Sequence, residues 1–200
     1  MESPTPPREN THGYKIRNQS GVHYVSFAVV DWIDVFSRKC YRDIVVDSLR
    51  YCQEHKGLNL HGWCLMTNHM HLIFSAANGN ASALLRDFKR HTSKAIITAI
   101  KEHPGESRRD WMLERFALAG SLNSRNKRYQ FWRQDNGPKE LFSPGFAQQK
   151  LDYLHHNPVS EGLVKQAEDY RYSSAQTFLG LPGPLRLSPT TAFQTAVFAD

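Results

Sequence analysis

Short apolar runs alternate along the chain with charged stretches of helical spacing, and their order is the first informative feature. "VHYVSFAVVDW" (Val22 to Trp32) is dense in β-branched and aromatic residues and predicts a strand. "YRDIVVDSLRYCQEH" follows, with Ile44, Val45, Leu49 and Cys52 near one helical stripe and Gly57 as a stop. "LNLHGWCLM" and "HMHLIFSA" predict two strands joined by the polar turn at Thr67-Asn68, an antiparallel hairpin. Asn80 to Ser82 offers caps for a second long helix, "ALLRDFKRHTSKAIITAIKEH", ending before Pro104. Strand, helix, strand, strand, helix is the opening of a ferredoxin-like (RRM-like) α+β domain, an antiparallel sheet with helices on one face.

From Gly105 to Arg128 the periodicity weakens while Arg108, Arg109, Arg115, Arg125, Lys127 and Arg128 gather. The stretch at about 105–128 reads as a basic insertion, part helix and part loop. "YQFWRQ" predicts the strand that completes the sheet. Ser143-Pro144 starts a helix, "PGFAQQKLDYLHHN", which Pro158 is expected to stop, because a residue before proline disfavours helical angles. The Pro-, Ser- and Thr-containing segment 1–20 and the tail 181–200 read as flexible arms around one domain at 21–180.

Composition narrows the class. A chain of 200 residues, 40% hydrophobic and 22% charged, is an ordinary globular protein with room for one core. No apolar run reaches membrane-span length, and "MESPTPPRENTHG" lacks the apolar core of a signal peptide. Cys40, Cys52 and Cys64 form neither an even set nor a CxxC pair, so reduced thiols and a cytoplasmic location are expected. The net charge of +6 is compatible with a polyanionic partner without requiring one.

Candidate chemistry begins in "LMTNHMHLIF". Residues two apart on a strand share a face, so His69 and His71 are neighbours, and two neutral imidazoles so placed can chelate one divalent cation. They can equally be half-exposed strand histidines. In "DYLHHNPV", Tyr153 and Asn157 stand four apart and share a helix face, either as a functional phenol and carboxamide or as a polar helix end. His155 and His156 lie beside them, in phosphate contact or in structural and exposed roles. Arg86, Lys89, Arg90, His91 and Lys94 on the second long helix, with Arg125, Lys127 and Arg128 of the insertion, form either a phosphate-tracking or a solvated charged surface. Tyr129, Phe131 and Trp132 offer stacking on unpaired bases or plain core.

Taken together these segments resemble a known family. "MTNHMHLIF" is similar to the histidine-hydrophobic-histidine motif of the HUH endonucleases, and "KLDYLHHNPVSEGLV" to the nucleophile helix of their single-tyrosine transposase branch. "FKRHTSKAI", "QFWRQ" and "EDYRYSSA" resemble that branch in the same order, so the likeness runs from about Val22 to Phe178. Within the branch the chain is similar to the REP-associated tyrosine transposases. Thr67 stands where the family commonly has proline, and the 105–128 segment has no clear counterpart in the shortest relatives.

The resemblance implies a metal-dependent endonuclease and strand transferase that cuts single-stranded DNA beside hairpins. It makes Tyr153 the nucleophile, forming a 5′-phosphotyrosine, and His69, His71 and Asn157 the ligands of Mg²⁺ or Mn²⁺. Arg86, Lys89, Arg90, Lys94, Arg125, Lys127 and Arg128 would contact DNA, and the protein would act as a monomer or homodimer. Two rivals remain: an idle nucleic-acid-binding regulator of the same fold, and an unrelated zinc hydrolase. The hydrolase needs a carboxylate beside the histidines, and the motif strand has none.

Overall fold

In the computed structural model the described residues are 15–123, 128–134 and 137–193. They form β1 (His23–Ala28), α1 (Lys39–His55), β2 (Leu58–Leu65), β3 (His69–Ala76), α2 (Ala81–Glu102), α3 (Arg109–Ser121), β4 (Lys139–Glu140), α4 (Pro144–Ser160) and α5 (Ala175–Phe178). The sheet order is β2-β3-β1-β4 with every neighbouring pair antiparallel, the ferredoxin-like arrangement.

The helix boundaries follow local chemistry. Gly57 adopts φ +70 just beyond α1, a left-handed conformation that glycine enters without penalty. The Asn80 side chain accepts the Ala83 N–H at 3.2 Å and caps α2. Ser143 accepts the Phe146 N–H at the start of α4, with Pro144 in the first turn, where its missing donor costs nothing.

The two faces of the sheet carry different helices. Leu72 and Phe74 of β3 meet Leu49 and Cys52 of α1 and Leu84, Leu85 and Phe88 of α2, and Phe27 of β1 packs edge-on against Phe88. This is the larger part of the core. The opposite face, with His71, Ile73 and Tyr24, receives α4. A one-residue bulge between Leu60 and Gly62 makes that docking possible. An extra residue in a strand reverses which side chains face which way. It brings Gly62 opposite Ile73 on the α4 side, where a Cβ would stand 2.9 Å from Leu151 Cδ1. Helix and sheet touch closely there because position 62 has no side chain.

Three expectations change. "YQFWRQ" is not a strand: Phe131 and Trp132 are both buried, and the segment joins the sheet only through a bridge of Trp132 to Val29. The fourth strand is the two-residue β4, pairing with His23 and Tyr24. Pro158 does not stop its helix. It lies inside α4, whose last turn is held by Glu161 N–H to Asn157 and Gly162 N–H to Val159, and Gly162 with φ +69 follows the helix end. A proline this near the terminus forfeits one backbone bond without breaking the helix. The tail from 181 is not loose as far as Phe193. Leu185 and Phe193 are buried, and Ser188 N–H donates to Leu60 O at 2.7 Å on the β2 edge.

Candidate active site

β3 delivers the histidines and α4 lies across them. His69 Nε2 and His71 Nε2 face each other at 3.0 Å. The other nitrogen of each ring is also engaged: His69 Nδ1 with Asn68 Oδ1 at 2.7 Å, and His71 Nδ1 with the Tyr24 hydroxyl at 2.8 Å. Tyr24 reaches His71 because β1 pairs Ser26 opposite His71, two residues along on the same face. Burial lowers the His71 pKa to about 3, with the neighbouring His69 adding to the effect, and burial also lowers that of His69. Both rings are therefore neutral at pH 7. Burial and the nearby Tyr153 hydroxyl raise the Tyr24 pKa, so it remains a phenol.

One proton assignment satisfies all of these groups. His69 Nδ1–H donates to Asn68 Oδ1, which leaves a lone pair on His69 Nε2. His71 Nε2–H then donates to His69 Nε2, and the Tyr24 hydroxyl donates to His71 Nδ1. A hydroxyl donates or accepts, so Tyr24 serves either tautomer of His71.

The Asn157 side chain lies near both imidazoles and acts against the lowering of their pKa, so α4 brings a third polar group to the pair. Tyr153, one turn earlier, has its ring 5.4 Å from that of His71 and 6.4 Å from that of Tyr24, and is 51% exposed. Because α4 continues through Pro158, Tyr153 and Asn157 keep one face. Lys150, three residues before Tyr153, holds its Nζ 5.8 Å from the Tyr153 ring centre and 5.6 Å from that of Tyr24. Burial and Lys139 lower its pKa.

The donors suit a small divalent cation. Two cis nitrogens at about 2.1 Å from an octahedral ion stand about 3 Å apart, which matches the 3.0 Å between the Nε2 atoms. Among the described residues no group of three or more His, Cys, Asp and Glu side chains could hold a metal; the candidate third donor here is the Asn157 amide.

The remaining candidates separate. His155 bonds Ser174 Oγ at 2.8 Å and burial lowers its pKa to about 4, so it anchors α4 to the β2 edge, while His156 is exposed. Tyr170 and Tyr172 are buried. Arg86, Lys89, Arg90, Lys94 and Arg128 line one open groove of about 880 Å³ with Lys101 and Arg133. A larger groove, about 1160 Å³, lies between α1 and α2 on the far side, with Asp47 and Asp87 among its walls and without the convergent donors seen on β3. Chemistry, rather than size, marks the site. Arg125 and Lys127 lie outside the described residues. In the insertion, Arg108 pairs with Asp34 and Glu106, Arg109 with the carbonyls of Ile100 and His103, and Arg115 with Asp31, so these three serve the fold.

Residues 22–116 match the family model described as "Transposase IS200 like". Over that span, just under half of its length, the chain is similar to that family. The matched span holds β1 to α2 with both histidines, and ends before α4 with Tyr153 and Asn157. Among solved structures, one titled as a REP-associated tyrosine transposase bound to a REP hairpin is 14% identical, covering 94% of this chain and 99% of that one with a TM-score of 0.56. At that identity the likeness establishes the fold, and it extends beyond the IS200-like segment to α4. No curated protein matches the chain. No helix of the described residues is long and apolar enough to cross a membrane.

Four residues of the site had no mark in the sequence. Tyr24 is selected by strand register, Asn68 by the turn, Trp32 by packing against His69, and Arg133 by packing against Trp32. Lys150 carried the one readable signal, standing three residues from Tyr153 on the same helix.

Proposed function

We propose that this protein is a DNA transposase that cuts single-stranded DNA beside hairpins, with Tyr153 as nucleophile. The IS200-like segment supports the transposase role. The observation that carries the chemistry is the placement of the half-exposed Tyr153 ring 5.4 Å from His71, next to two convergent imidazole nitrogens and the Asn157 amide.

His69, His71 and Asn157 would hold a divalent cation, Mg²⁺ or Mn²⁺, which supplies charge neutralisation and polarisation of a phosphodiester. The protein groups account for the rest. Tyr24 and Asn68 fix the imidazoles so that the Nε2 atoms face the substrate side. Tyr153 Oη attacks phosphorus, forming the Tyr–O–P bond as the P–O3′ bond breaks. The phenol proton is lost and the departing 3′-oxygen gains one, leaving a 5′-phosphotyrosine and a free 3′-hydroxyl. One phosphoester replaces another, so the step reverses with a new 3′-hydroxyl and transfers a strand without nucleotide hydrolysis. The Lys150 ammonium, 5.8 Å from the Tyr153 ring centre, would offer a cation to the phosphate under attack. Arg86, Lys89, Arg90, Lys94, Arg125, Lys127 and Arg128 would follow the DNA backbone, so affinity falls as salt rises.

The test is incubation with labelled hairpin-bearing single strands in manganese, read on a denaturing gel. Cleavage beside the hairpin, loss of cleavage in EDTA and poor cutting of the fully paired duplex are expected. Equal cutting of duplex and hairpin, or full activity in EDTA, contradicts the proposal. Tight binding with no cleavage under any divalent ion points instead to an idle regulator.

A further inference from the structure

Trp32 stands out beside the histidines. It is 52% exposed, and both it and Asp31 adopt left-handed backbone angles, φ 55 and φ 54. A bulky residue with positive φ is a genuine outlier, and such strain persists only where the surroundings impose it. Here they do. Val30 and Ile33 are buried on either side, Val30 N–H donates to Phe131 O at 2.8 Å, and Trp32 N–H donates to Val29 O at 3.1 Å. Arg115 of α3 grips the Asp31 carboxylate at 2.7 Å. Much of this apparatus holds an indole in water, where it adds little to the core.

Its position gives the indole a use. Its ring lies 5.6 Å from that of His69, and the Arg133 guanidinium lies 5.8 Å from its centre. Arg133 also lines the groove with Lys89, Lys94, Lys101 and Arg128, in whose described lining no acidic residue appears. Trp32 therefore bridges the imidazole pair and a cationic channel. Polyanionic backbone suits the channel, and an aromatic face beside it suits an unpaired base.

We infer that Trp32 is a base-stacking platform for the nucleotide next to the scissile phosphate, held in its strained pose by the Asp31–Arg115 ion pair. The inference rests on the DNA reading above and deepens it. It also gives α3, part of the insertion, a role, since Arg115 positions the loop that presents the indole.

The experiment compares two anionic strands that differ only in bases. Labelled oligothymidylate and an abasic oligomer of equal length are titrated in EDTA against the Tyr153→Phe protein, and fluorescence anisotropy reports binding. The parent protein should prefer the base-bearing strand. Trp32→Ala should weaken that strand about tenfold, the worth of one stacked base, and leave the abasic strand unchanged. Trp32→Phe should retain most of the preference, and Arg115→Gln should lose part of it. Oligothymidylate binding that Trp32→Ala leaves intact, or equal losses on both strands, overturns the inference alone. No binding of either strand by the parent at low salt overturns the DNA reading and this inference with it.

Discussion

The two faces of β3 are built from alternate residues of one strand and serve different ends. Met70, Leu72 and Phe74, no more than 2% exposed, belong to the core, Leu72 and Phe74 lying against α1 and α2. His69, His71 and Ile73 face α4, and the two imidazoles are held there with a partner on every ring nitrogen. The period of two keeps the roles apart, so a strand can be a core wall on one side and a rigid shelf for donors on the other. Rigidity is what the donors need, and the apolar face supplies it.

The strongest way to break this division is at Tyr153, which belongs to neither face. Tyr153→Phe removes one exposed oxygen, so cleavage and covalent attachment should fall at least about a thousandfold, with the melting temperature unchanged by differential scanning fluorimetry. Next comes a crossed pair on β3. Met70→Ala should cost about 2–5 kcal/mol of stability while the folded fraction still cleaves. His71→Ala should abolish cleavage and cost about 1–3 kcal/mol, because the Tyr24 hydroxyl loses its partner. Urea titration and cleavage per folded molecule measure both, and a Met70→Ala protein that is stable but inactive would erase the distinction. Asn157→Ala should reduce cleavage by about 10- to 100-fold and raise the manganese needed for half-maximal rate.

The mildest effect is pH. Burial lowers the pKa of His71 to about 3 and of His155 to about 4. The unfolded chain therefore takes up protons from about pH 6.5 downward before the folded one does. Stability is full above that pH and declines as pH falls toward 4. Urea midpoints between pH 7 and pH 4 should show this decline, and His155→Gln should make it shallower without changing cleavage chemistry.

Much of the fold could be read from residues because local rules decided it. The β2–β3 hairpin, the Asn80 cap and the Ser143-Pro144 start each depend on chemistry within a few positions. "YQFWRQ" misled because its aromatics signal burial, and burial here came from docking at the end of β1 rather than from strand pairing. The two-residue β4 is too short to leave a pattern. Pro158 stayed in its helix because the bond it forfeits lies near the end. At the site, the spacing of His69 with His71 and of Tyr153 with Asn157 was visible, since each pair sits on one element. That the pairs meet depends on the β2 bulge and on Gly62 admitting Leu151, which are long-range facts. Tyr24 was hidden for the same reason.

The central claim is that Tyr153, poised over the histidine pair, becomes covalently joined to DNA. Its most direct measurement is peptide mapping by mass spectrometry after reaction with a hairpin-bearing single strand in manganese. The account predicts a nucleotide adduct on the peptide containing Tyr153, absent in EDTA and absent from His71→Ala. An adduct mapped to Tyr24, Tyr170 or Tyr172, or cleavage that leaves no protein-bound nucleotide, would contradict it.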